Sequence, residues 1–230
     1  MRKPTFLSAV ALLLIISLGQ SQEQSKVKLP ADGDNNGAAA IAALKASTRH
    51  GEWVDVEMPG SETKIKSFVV YPERPDKAGV VIVIHEIFGL SDWVRGVADQ
   101  LASEGFIAIA PDLVSGMGPG GGGTESLGNN ATRTVSSLPV DEQFKRLEAV
   151  RDYALKIPAA NGKIGTVGFC WGGTASFNYA ARQPKLNGAI VYYGTAPSKE
   201  LMARIECPVL GCYGGNDARV TATVEPTKAT

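Results

Sequence analysis

Residues 168–173 read Gly-Phe-Cys-Trp-Gly-Gly. The stretch before them, Lys163 to Gly168, has the pattern of a strand, and Trp171 to Arg182 that of a helix. A cysteine at such a junction fits a strand-to-helix turn so tight that the residues two before and two after it must be small, hence Gly168 and Gly172. The thiol of Cys170 would then rise above the sheet edge at the N-terminus of the helix. The dipole and the free N–H groups there favour a thiolate. A thiolate so presented attacks carbonyl carbon, and the chemistry implied is acyl transfer. The alternative is a buried cysteine beside glycines that only pack a helix on a strand.

The elements that must hold this turn alternate along the chain. Trp53 to Met58 and Lys64 to Tyr71 read as strands flanking a turn at Pro59-Gly60. Gly79 to Ile84 is a continuous β-branched run, as in a strand buried on both faces of a parallel sheet. A helix over Ser91 to Glu104 places Val94, Val97, Ala98, Leu101 and Ala102 on one face, with Ser91 or Asp92 as its N-cap. Phe106 to Ala110 is the next strand. Pro111 to Pro139 is a long irregular segment, and loops of that length are functional or mobile. Asp141 to Leu155 is helical, Gly188 to Tyr193 a strand, Lys199 to Ile205 a helix and Pro208 to Tyr213 a strand. Strands and helices in alternation give a mostly parallel sheet covered by helices on both faces, the α/β class.

Four motifs in order resemble the dienelactone hydrolase family: His85-Glu86-Ile87-Phe88-Gly89, Ala110-Pro111-Asp112-Leu113, Gly168-Phe169-Cys170-Trp171-Gly172-Gly173 and Tyr213-Gly214-Gly215-Asn216-Asp217-Ala218-Arg219-Val220. The similarity runs from about Val54 to the end and implies an α/β-hydrolase fold. It implies a hydrolase that cleaves an ester or lactone (carboxymethylenebutenolidase-like) through Cys170 and an acyl-enzyme, in a Cys-Asp-His triad whose acid is Asp217. The oxyanion hole would be the backbone N–H groups of Ile87 and Trp171. Glu86 would take the thiol proton, which an ordinary cysteine with a pKa of about 8.5 still holds at neutral pH. Arg219 and Phe88 are candidate substrate-binding residues, and Trp171 and Trp93 could join Phe88 in an apolar pocket. The family also places an arginine soon after the second motif. This chain has none there, which weakens a fit to small dicarboxylate-like lactones.

The departure from the family is histidine. The chain has two, His50 and His85, and neither follows the acid loop. The expectation is a chain that continues past Thr230 through the last helix and strand, missing here, to a loop carrying the triad histidine. Without it the fragment itself would be inactive. A non-catalytic binding protein on the same fold is the rival class. A thiol redox role ranks last, because no Cys-x-x-Cys is present.

Lys+Arg and Asp+Glu both count 23, so nothing in the net charge points to nucleic acid or an anionic membrane. Arg2 and Lys3 precede an apolar run from Phe6 to Leu18, about 13 residues where a spanning helix needs roughly 20. Residues 1–20 are read as a signal peptide, 21–50 as a tether with a short helix at Ala38 to Ser47, and 51–230 as the hydrolase-like domain, incomplete at its C-terminus. The protein is expected to be exported, periplasmic or secreted, with no membrane association beyond export, and monomeric. Its partner is a small-molecule ester or lactone. Three cysteines leave at least one thiol free, and Cys207 and Cys212 are too close around one strand for a ready bridge, reading instead as buried apolar residues. No metal cluster stands out and no cofactor is needed. Gly116-x-Gly118-x-x-Gly121 matches a dinucleotide fingerprint by spacing only, since it opens no obvious helix. Asn130-Ala131-Thr132 is a glycosylation sequon.

Overall fold

The computed structural model describes residues 37–229. The expected signal peptide and most of the tether lie outside the described residues. The first element described is helix α1, Ala38–Ala46.

Seven strands form one sheet: β1 Gly51–Glu57, β2 Lys64–Val70, β3 Ala78–Ile84, β4 Ile107–Pro111, β5 Ala160–Phe169, β6 Gly188–Tyr192 and β7 Val209–Cys212, in the order β1-β2-β4-β3-β5-β6-β7. The β1–β2 and β2–β4 pairs are antiparallel, and the other four are parallel. Every residue of β3 is buried, as its unbroken apolar run requires. The period of two divides β3 and β4 between two cores. Val81, Val83, Ala108 and Ala110 face helix α2, Asp92–Ser103, through its Val94, Ala98, Leu101 and Ala102. Val80, Ile82, Ile84, Ile107 and Ile109 face the other way. There they meet α5, Val140–Ala154, and α6, Trp171–Ala180, through Leu147, Val150, Ala175 and Tyr179. Ser91 caps α2 as expected, accepting from the Val94 N–H.

The segment Pro111 to Pro139 departs from its reading as irregular. It folds into a 3-10 turn at Pro119–Gly121, helix α3 at Thr124–Leu127, another 3-10 turn at Gly128–Asn130 and helix α4 at Ala131–Ser137. Val114, Leu127, Ala131 and Val135 give it a small core of its own, packed against Trp171. Glycines masked this order, because their turns carry no apolar period. Shorter helices α7 (Lys199–Met202), α8 (Ala218–Thr221) and α9 (Val224–Lys228) follow. The helix expected over Lys199 to Ile205 closes early at Met202, with Ala203 and Arg204 in a turn. Cys207 and Cys212, expected to be buried, are only half-buried, and all three cysteines are free.

Candidate active site

Strand β5 ends at Phe169, and α6 starts two residues later at Trp171. The single residue between them, Cys170, has φ 56° and ψ −116°, a conformation that L-residues avoid. It persists because its surroundings fix it. The Cys170 N–H donates to the Tyr192 carbonyl at 3.0 Å, and its carbonyl accepts from the Thr174 N–H at 3.1 Å. A Cβ on Gly168 would stand 1.9 Å from the Gly172 carbonyl oxygen, and one on Gly172 would stand 2.3 Å from the His85 oxygen. Gly173 and Gly194 approach each other as closely, since a Cβ on Gly194 would lie 2.3 Å from the Gly173 carbonyl carbon. Both glycines flanking the cysteine are therefore steric requirements. Cys170 itself is partly exposed, so it is not sealed in the core.

Sheet order decides its neighbours. Since β5 lies between β3 and β6, the turn after β3 stands on one side of Cys170 and the end of β6 on the other. After β3, Glu86 is buried, with Oε2 accepting from the Phe88 N–H at 3.2 Å and Oε1 without a partner among the described residues. Burial pushes its carboxyl above the ordinary carboxylate range, against the opposing pull of the Phe88 N–H. After β6, Tyr193 is the other non-glycine residue at positive φ, 41°. Its phenol is pushed up by burial first and then by the neighbouring Cys170 and Glu86. Tyr193 was missed in the sequence. The signal that could have found it is a tyrosine preceding glycine at the end of a strand beside the elbow.

The backbone N–H groups of Ile87 and Trp171 make no hydrogen bond among the described residues. Ile87 lies in the turn after β3, and Trp171 opens α6 directly after Cys170. The Ile87 turn closes through Gly89 N–H to Glu86 carbonyl at 3.1 Å. It is tied further by a knot of polar groups. Thr124 Oγ1 accepts from the Leu90 N–H at 3.0 Å and donates to Asp112 Oδ1 at 2.8 Å, while Asp112 Oδ2 accepts from the Thr124 N–H. Buried Arg146 holds the same loop by donating to the carbonyls of Leu113 and Ser115.

His85 is fully buried and stacks on Trp171 at 5.5 Å. Its Nε2 accepts from the Leu113 N–H at 3.2 Å, which leaves the proton on Nδ1, 2.8 Å from the Glu86 carbonyl. Burial drives its pKa down, against the pull of Asp112. Both ring nitrogens are occupied, so His85 is a structural neutral imidazole. His50 stacks on Tyr71 beside β1, at the opposite side of the sheet from the acid loop.

Asp217 lies beyond β7, two strands from Cys170 along the same edge. Its Oδ1 accepts from the Val220 N–H at 3.1 Å and caps α8. Arg219 is exposed, with no side-chain partner among the described residues, and Phe88 is 48% exposed. Trp93 is half-buried and packs edge-on against Phe169 at the margin of the core. Among the described residues no group of His, Cys, Asp and Glu could hold a metal. No described helix is long and apolar enough to cross a membrane.

This arrangement has counterparts in known proteins. The chain is 32% identical over 150 residues to a carboxymethylenebutenolidase of Pseudomonas putida, covering 63% of each chain. It is 29% identical over 174 residues to a carboxymethylenebutenolidase-type protein of Salmonella typhimurium, covering 71% of this chain but only 64% of that relative's length. A solved dienelactone hydrolase-type structure from Klebsiella pneumoniae superposes with a TM-score of 0.69 at 26% identity, covering 80% of both chains, and the sheet shares the α/β-hydrolase fold. The dienelactone hydrolase family model matches residues 65–229, a span that contains the elbow, both neighbouring turns and the acid loop, and the chain therefore belongs to the dienelactone hydrolase family.

Proposed function

We propose that the chain carries a cysteine-based site for cleaving a carboxylic ester or lactone. The observation that carries this reading is Cys170, held at φ 56° and partly exposed, with the buried Glu86 carboxyl after the neighbouring β3 and the Tyr193 phenol after β6. Backbone strain of this kind costs roughly 1–3 kcal/mol and is retained where a side chain must be aimed.

In the proposed sequence, Cys170 Sγ attacks the carbonyl carbon while its proton passes to Glu86. The raised affinity of Glu86 for a proton suits that transfer. The two free N–H groups, Ile87 and Trp171, receive the negative oxygen, and the N-terminal end of α6 favours that charge. Collapse expels the alkoxide, which takes up the proton, and leaves a thioester on Cys170. Water then hydrolyses the thioester, with Asp217 assigned to orient the base that activates it. His85 and His50 are excluded from that role by their partners and position.

The test is a burst assay on full-length protein with p-nitrophenyl acetate. Wild type should release nitrophenol in a first stoichiometric phase, and acid-quenched protein should carry one acetyl group on the Cys170 peptide. Cys170→Ala should lose both. Acetyl on another residue, or undiminished turnover by the variant, refutes the assignment.

A further inference from the structure

The parallel strands β5, β3 and β4 end at the edge that holds Cys170, and the antiparallel β2 and β1 continue the sheet beyond them. Moving from β5 through β3, β4 and β2 to β1, one passes Cys170, then Phe88, then Asp112 with Thr124, then Lys66, then Trp53. From Phe88 onward these same residues line one open groove of about 1220 Å³, with Leu90 among them. Two of the large apolar side chains left exposed among the described residues, Phe88 at 48% and Trp53 at 46%, lie on this groove.

Trp53 is held rather than free. Its ring lies 5.3 Å from Phe68, with the Lys66 ammonium at 5.1 Å and the Arg95 guanidinium at 5.4 Å from its centroid. The groove's charged side chains are Lys66 and Arg95 against Asp92, Asp112 and Glu125, one negative charge in excess. Arg95 pairs with Asp92 and feels Glu125, Asp112 is spent on Thr124 and Val114, and Lys66 stands across the β1–β2 ladder from Asp55. A groove with a negative charge in excess and two exposed aromatic rings repels a carboxylate and offers apolar contact to a chain.

We infer that this groove, which begins one residue past the Ile87 amide and does not itself include Cys170, is an extended subsite for an uncharged alkyl or aryl-alkyl arm of the ester, running from Phe88 to Trp53 at the far edge. The inference rests on the proposed cysteine site and deepens it. With strands about 4.8 Å apart, β5 to β1 spans about 19 Å, the length of a chain of roughly 15 bonds. The fitting substrate is a long ester rather than a compact anionic lactone. Arg219 is exposed and does not line the groove.

The test uses two homologous series below their micelle concentrations: p-nitrophenyl esters of linear acids from acetate to tetradecanoate, and acetate esters of the matching alcohols. In one of them kcat/KM should rise about twofold per methylene, about half the gain of full burial. Phe88→Ala should flatten the rise from the shortest chains, whereas Trp53→Ala should flatten it only for the longest and Trp53→Phe should restore most of it. Direct calorimetry with 2-hexanone and 2-tetradecanone reads the groove independently of turnover. Tighter binding of the longer ketone, weakened by Trp53→Ala, supports the subsite even if Cys170 proves not to be the nucleophile. No length dependence in either the esters or the ketones, or equal effects of Trp53→Ala at all lengths, overturns it.

Discussion

Glu86 sets the electrostatic character of the site. One carboxylate oxygen is satisfied by the Phe88 N–H and the other is buried without a partner. A carboxyl whose folded pKa is raised gives full stability below the ordinary range near 4.3, and that contribution is lost as pH rises through the folded value. Glu86→Gln should therefore unfold at the same urea concentration as wild type near pH 4 and be more stable at pH 7, by about 1 kcal/mol for the orphaned oxygen. Acylation should fall about 100-fold, and the acid limb of the rate profile should disappear. Equal stability at both pH values would mean that Glu86 is not a strained buried base. The sequence displayed Cys170 by type and spacing, and Glu86 through the family resemblance. It did not display that Oε1 is unpartnered or that Tyr193 shares their electrostatics, since both facts depend on which strands become neighbours.

At the scale of elements, the turn after β3 is only as fixed as the loop that holds it. Thr124 stands 34 residues from Leu90 and 12 from Asp112, yet one hydroxyl joins them. The fit is close, because a Cβ on Gly89 would lie 2.2 Å from that hydroxyl. Thr124→Val should speed hydrogen exchange of the peptide covering residues 85–91, destabilise the protein by about 1–2 kcal/mol, and lower kcat more than it raises KM. Unchanged exchange there would show that the knot does not position the Ile87 amide. The segment Pro111 to Pro139 shows where sequence reading failed. Strand and helix periods exposed β3 and α2, but glycine turns between short helices carry no period. The role of Asp112 was equally hidden, although its motif was visible.

Across the whole molecule, burial falls off from the centre of the sheet. All residues of β3 and nine-tenths-buried apolar side chains in β5 lie between two helical layers, whereas every residue of β7 is at least partly exposed. Amides of β3 and β5 should accordingly exchange slowest, near the global unfolding limit, and those of β7 by faster local opening. Slow, uniform exchange through β7 would contradict this gradient.

Sequence alone determined the α/β alternation, the tight strand-to-helix turn at Cys170 and the family, because a parallel strand is apolar along its whole length, a turn that tight admits only glycine at its flanks, and the four motifs stand in family order. His85 could be set aside on position. Only the tertiary structure showed why it is inert, by filling both of its nitrogens. Only strand order decided that Tyr193 and Glu86 flank one thiol and that Phe88, Leu90 and Trp53 line one groove. Strand order follows from how buried faces pair over long chain separations, and no local window of residues contains it.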